Sequence, residues 1–167
     1  MKKEPVFWQL LPHIGRTGSG MTPFPATAPR QSLDPEGARL EYDVHLWNAG
    51  KLVVWAYLSP RNNVRPTDGL QYAVSLDDAK PQLVNVTTAL NGIPMNRSFE
   101  RNTSDNVNRT STEHQVLTPG AHVLKFWAVD PTVVVQKLVL DTGGLRESYL
   151  GPPESFRTAS SSGGTTP

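Results

Sequence analysis

The chain has 167 residues, with 16 Lys+Arg against 15 Asp+Glu for a formal net charge of +1, and it is 37% hydrophobic and 19% charged. That length supports one domain with a true hydrophobic core, and the even charge balance excludes a strong general pull on nucleic acid or anionic membrane. With no cysteine in the sequence, disulfides, thiolate metal sites and a cysteine nucleophile are excluded; no stretch approaches the roughly 20 apolar residues that span a bilayer.

The opening "MKKEPVFWQL" is basic but lacks the apolar region of a signal peptide, so an export signal is expected outside this chain. Prolines at 23, 25, 29 and 35 fix φ and remove donors. They predict an extended, turn-rich arm over residues 1–36, tied down by Phe7, Trp8, Leu10 and Ile14. "LEYDVHLW" (Leu40–Trp47) alternates: Leu40, Tyr42, Val44 and Leu46 face one way, and Glu41, Asp43, His45 and Trp47 the other, the period of a half-buried strand. "NAG" reads as a short hairpin turn, and "KLVVWAYLSP" as a return strand buried on both faces and ended by Pro60.

After the polar loop "RNNVRPTDG", "GLQYAVSLDD" places Leu70, Tyr72, Val74 and Leu76 on one strand face. "DDAKP" is a turn and "QLVNV" a short strand. A polar stretch from about Thr87 to Ser111 offers a helical turn or loop, with a strand expected near Val107. "TSTEHQVLTPGAHVLKFWAVD" reads as strand, Pro-Gly turn, strand, and "VVVQKLVL" as the last strand. About eight strands without amphipathic helical periodicity predict an all-β fold, a jelly-roll β-sandwich of galactose-binding-like type. Residues 1–155 are expected to form this single domain. The tail from 156 to 167, which includes "TASSSGGTTP", has the composition of a flexible linker.

"GRTGSGMTPFP", "LEYDVHLW", "GLQYAVSLDD", "TPGAHVLKFWAVDP" and, most specifically, "DTGG" followed by "SYLGPPES" occur in this order in one family. From Trp8 to Ser155 the chain resembles the C-terminal β-sandwich domain of glycoside hydrolase family 115, the xylan α-1,2-glucuronidases. More loosely, it resembles the jelly rolls of carbohydrate-binding module families 6 and 35. The resemblance implies an extracellular or periplasmic setting, plant polysaccharide of the xylan or glucuronoxylan type as partner, and catalytic domains elsewhere in the parent hydrolase. It carries over no catalytic residue. Two functions follow: a non-catalytic carbohydrate-binding module that targets an attached hydrolase, or a structural or dimerisation domain that touches no sugar.

Sugar recognition needs aromatic faces and planar polar groups, with an Arg fork to read a uronate. Trp47, on the polar face of its strand beside a turn, is either a stacking platform or a side chain packed on the N-terminal arm. Arg61, Asn62, Asn63 and Arg65 in "SPRNNVRP" have the chemistry for hydroxyls and a carboxylate, or for a solvated loop. "GRTGSG" fails the phosphate-loop spacing; it reads as a turn in which Arg16 is an anchor or a ligand contact. Trp55 and Tyr57 are expected to share a packed face, and Phe126 and Trp127 to lie on opposite ones. The four histidines have no metal-ligand spacing, and no metal or other cofactor is expected, although Asp68, Asp77 and Asp78 are candidates for a dispersed structural Ca²⁺. Glu41 and Asp43 share a strand face, but nothing in the pattern makes a closed cleft for a glycosidase pair. No G-x-S-x-G elbow supports an esterase. Sequons at Asn85, Asn96, Asn102 and Asn108 fall in an Asn/Ser/Thr-rich composition where chance explains them.

Overall fold

The computed structural model describes residues 5–63, 67–87, 102–146 and 148–157; Arg65, Asn96 and most of the polar stretch before Asn102 lie outside the described residues. Nine strands run β1 (Phe7–Pro12), β2 (Ser19–Phe24), β3 (Arg39–Leu46), β4 (Gly50–Leu58), β5 (Gln71–Leu76), β6 (Gln82–Asn85), β7 (Asn108–Val116), β8 (Gly120–Ala128) and β9 (Val135–Asp141). They form a five-stranded sheet in the order β1-β2-β9-β4-β7 and a four-stranded sheet in the order β3-β8-β5-β6. All pairings are antiparallel. The pairs β2·β9, β3·β8, β4·β7 and β5·β6 nest inside one another. This is a long double strand folded over itself, the jelly-roll arrangement, with β1 added at one edge.

One local reading is corrected by this nesting. "NAG" is no hairpin, because β3 pairs with β8 while β4 pairs with β7 and β9. "TPG" likewise joins β7 of one sheet to β8 of the other. Both short connections carry the chain between sheets, and each delivers a glycine at positive φ, Gly50 at 127° and Gly120 at 138°, a region in which a side chain is strained. The arm of residues 1–36 is also more regular than expected. Its first part is the β1–β2 hairpin; its second part runs as a strap across the outside of the four-stranded sheet, where the Gln31 N–H donates to Val129 O. Pro23 fits in β2 because it pairs only towards Trp8 on β1, whereas β2 meets β9 at Met21↔Val135, so no ladder bond is asked of its nitrogen.

The alternating residues fill the space between the sheets. Leu52, Val54, Leu70, Tyr72, Val74, Leu124 and Phe126 are essentially inaccessible, each stabilising by about 1.5–3 kcal/mol relative to exposure. Tyr72 stacks on Phe126 at 4.8 Å. Its hydroxyl hydrogen-bonds Thr110 Oγ1 on the opposite sheet at 2.6 Å; burial pushes its pKa up to about 12, with that hydrogen bond acting against the shift. Two smaller clusters cover the outer faces. Trp55 and Tyr57 pack with Val107, Val139 and Leu145 on one side. Trp127, opposite in facing to the core residue Phe126, packs with Ala73, Val129 and Leu33 on the other.

One ion cluster ties the strap to the sandwich. Arg30 reaches the buried Asp130 twice, Nε to Oδ1 at 3.0 Å and Nη2 to Oδ2 at 2.9 Å. It also donates to Asp68 Oδ1 and to Gly69 O, while Asp130 Oδ2 accepts from the Gln71 backbone N–H at 2.7 Å. Hydrogen bonds to Asp130 and then Asp68 raise the guanidinium above its ordinary value, and the bond from Arg30 lowers Asp68. Truncating Asp130 to Ala strands a charge and a backbone donor. Because the Arg30 side chain remains 30% accessible, the loss is set below that of a wholly buried pair, at about 2–3 kcal/mol. Urea unfolding of Asp130→Ala measures it; an unchanged midpoint would show that the clamp contributes nothing.

Candidate functional site

The two inter-sheet connections, 47–49 and 117–119, emerge side by side, since Leu46 pairs with Gly120 and Gly50 with Val116. Their tips carry the most exposed large apolar side chains among the described residues of the strand-connecting segments, Trp47 at 79% and Leu117 at 82%. Trp47 therefore does not pack on the N-terminal arm. Its ring meets His45 edge to face, with centroids 4.4 Å apart, and His45 is exposed on β3 as are Glu41 and Asp43. Just behind this rim, Asp77 joins the β5–β6 turn to β8. Its Oδ2 lies 2.8 Å from His122 Nδ1, its Oδ1 accepts from the Val123 N–H at 2.8 Å, and its backbone oxygen accepts from Lys125 Nζ at 2.7 Å.

The other candidate residues do not join Trp47. Arg61, Asn62 and Asn63 follow the far end of β4, nine residues further along, so roughly 30 Å separates them from Trp47. Arg61 and Asn62 are exposed; the Asn63 amide donates to Thr67 O and Oγ1 within its own loop. Arg16 is an anchor. Its side chain is only 7% accessible, Nε and Nη1 donate to Asp105 O and Tyr149 O at 2.6 Å each, and the guanidinium lies 3.8 Å from the centre of the Tyr149 ring. The "SYLGPP" passage thereby folds back over the five-stranded sheet, where Lys137 Nζ donates to Leu150 O and Pro152 O and Gly151, at φ 73°, sits against the Tyr57 ring. Asp68 is bound to Arg30 at the end of the sandwich opposite Asp77 and Asp78, so the three carboxylates do not converge. Among the described residues no group of three His, Asp or Glu side chains is placed to hold a metal ion. Glu41 is ion-paired with Arg39 at 2.6 Å. No helix among the described residues is long and apolar enough to cross a membrane.

The fold and its exposed chemistry define a jelly-roll β-sandwich whose accessible aromatic and polar groups stand on rim connections and one outer strand. The family model for the glycosyl hydrolase family 115 C-terminal domain matches residues 1–154, and the chain belongs to that family. Its structure is similar to part of BtGH115A, a family GH115 4-O-methyl-α-glucuronidase with specificity for decorated arabinogalactans. The TM-score is 0.63 and the identity 17%, over 85% of this chain and 17% of that enzyme's. At that identity the likeness is one of fold, and this chain spans about a sixth of the enzyme's length. No curated protein matches the chain in sequence.

Two outcomes test the structural roles assigned around the rim and the anchor. His122 is raised above its ordinary value, chiefly by the hydrogen bond to Asp77 and then by that to Thr118 O. Asp77 is lowered: burial pushes it up, but the bonds from His122 and Val123 outweigh it. The raised histidine contributes stability that is fully present below the ordinary histidine value, near 6.5, and is lost as pH rises through its folded value; the aspartate's contribution is lost as pH falls below the ordinary carboxylate range. His122→Gln should therefore lower the urea midpoint most near pH 5–6 and least above pH 8; a difference constant with pH would refute the pair. His114, held down by burial, acts in the opposite sense in both proteins and cancels from the comparison. Arg16→Ala should lower thermal stability, by about 1–3 kcal/mol, and leave any glycan affinity unchanged; lost affinity with intact stability would return Arg16 to ligand contact.

Proposed function

We propose that this domain is a non-catalytic, glycan-contacting module of a family 115 glycoside hydrolase, acting outside the cytoplasm and holding plant polysaccharide near the enzyme's catalytic domains. Trp47 carries the reading: an indole 79% exposed on a rigid inter-sheet connection, where burial would otherwise be favoured. A flat aromatic face beside polar strand residues suits the apolar face of a pyranose, and a shallow, wet contact of this kind gives modest affinity. Its use is to raise the local concentration of a tethered enzyme at its polymer. Xylan-type chains, with or without glucuronic acid, are the glycan class proposed; the specificity of BtGH115A for decorated arabinogalactans adds arabinogalactan to the panel.

A second reading, docking against the rest of the parent enzyme or another copy, rests on a different surface. Phe7 (52%), Leu10 (57%) and Phe24 (40%) are exposed on the edge hairpin, and the Phe7 and Phe24 rings lie 5.3 Å apart across it. Such an apolar edge fits a protein neighbour better than a sugar.

Affinity electrophoresis and calorimetry of the domain on xylan, glucuronoxylan, arabinoxylan, arabinogalactan and cellulose separate the two. Binding to at least one is expected, weakened about tenfold by Trp47→Ala, or about 1.4 kcal/mol. Arg61→Ala, on the far rim, should leave binding of short oligosaccharides unchanged. Retention on none of the polymers would reject sugar binding in favour of docking.

A further inference from the structure

The outer line of β3 carries more information than the indole alone. Glu41, Asp43 and His45 are exposed at alternate positions of β3, roughly 6.6 Å apart, and Trp47 follows in the 47–49 connection with its ring centroid 4.4 Å from that of His45. Glu41 is occupied by Arg39. Asp43 is exposed and engages no cation among the described residues, and His45 meets only the Trp47 ring. The line from Trp47 to Asp43 is thus an aromatic face on the connection, then an imidazole and an open carboxylate on the end of β3.

Two of the described lysines at this end are already engaged, and the third is distant. Lys51 pairs with Glu113 at 2.6 Å, and Lys125 is bound to Asp77 O and lies 3.5 Å from Asp78. Lys80 stands on the β5–β6 turn, two to three strands from β3, roughly 10–14 Å away and beyond the screening length at physiological salt. Arg61 is at the opposite end and Arg16 is enclosed. A uronate placed over Trp47 would find no guanidinium among the described residues to receive it and would face the Asp43 carboxylate, whereas a neutral sugar offers hydroxyl donors that this carboxylate accepts through charge-assisted bonds.

We infer that the Trp47–His45–Asp43 line binds uncharged, linked sugar units of a glycan backbone and disfavours the uronic acid decoration itself. The inference rests on the glycan-contacting reading above and specifies its ligand. The domain would then hold bare backbone beside a decorated unit, leaving the acidic branch to the rest of the enzyme.

The test is calorimetric titration of matched oligosaccharides, neutral and carrying one glucuronic acid, against the native domain, Trp47→Ala and Asp43→Lys. Both replaced side chains are exposed, and circular dichroism with melting confirms that the variants fold. The native domain should bind the neutral oligosaccharide about threefold or more tightly than the acidic one, with the gap narrowing at high salt. Asp43→Lys should reverse the preference, and Trp47→Ala should lose both ligands. Tighter native binding of the acidic oligosaccharide, or an unchanged preference in Asp43→Lys, overturns this inference and leaves glycan binding standing. No binding of any oligosaccharide by the native domain rejects both.

Discussion

Every strand from β2 to β9 takes a hydrogen-bonded partner from the other half of a folded double strand, and the position of the rim follows from that constraint. Because β3 and β4 must lie in different sheets, as must β7 and β8, the short connections at 47–49 and 117–119 cross the gap between layers, which are packed about 10 Å apart. A crossing this short has no slack to tuck its tip inward. Trp47 and Leu117 are left in solvent by topology.

The other crossings are held by arginines, and this accounts for how the sandwich keeps long proline-rich segments on its outside. Arg30 fixes the strap to Asp130 and Asp68. Arg39 lies 4.7 Å from the centre of the Trp127 ring and donates to carbonyls of the strap. Arg16 gathers the β1–β2 turn, Asp105 and Tyr149. Carbonyl oxygens that no ladder could satisfy are given planar, many-donor partners. The "DTGGLRESYLGPPES" passage, the most distinctive stretch of the sequence, finds its physical reason here: it is a return segment whose glycines and prolines let the backbone lie flat on Tyr57 and Lys137.

Much of this was legible in the alternation. Leu70, Tyr72, Val74 and Leu76 lie in one core cluster as their spacing implies, and Phe126 and Trp127 separate to opposite faces. Strand partners were not legible. A period of two tells which face a residue occupies, but it is blind to which strand lies alongside, so "NAG" and "TPG" carry the same local signal whether they turn a hairpin or cross between sheets. The regular hairpin within the arm was not legible for a related reason: proline argues against an interior strand, yet β2 needs its ladder bonds mainly on the side facing β1. Of the site, the outward set on β3 was plain from "LEYDVHLW". The separation of Trp47 from Arg61 follows from the length of β4, but the capture of Arg16 depends on contacts 89 and 133 residues apart in the chain, which no local pattern encodes.

The division of labour among charged groups narrows what a ligand can be. An arginine whose donors already satisfy backbone carbonyls can bind a carboxylate only by abandoning them, and the net gain is the difference between two similar hydrogen-bond sets, less the cost of buried oxygens left bare. Residues that hold the straps are for that reason poor ligand contacts even where their chemistry suits a uronic acid. What remains uncommitted around Trp47 is an indole, an imidazole and a carboxylate, a set that accepts hydroxyl protons and covers apolar ring faces.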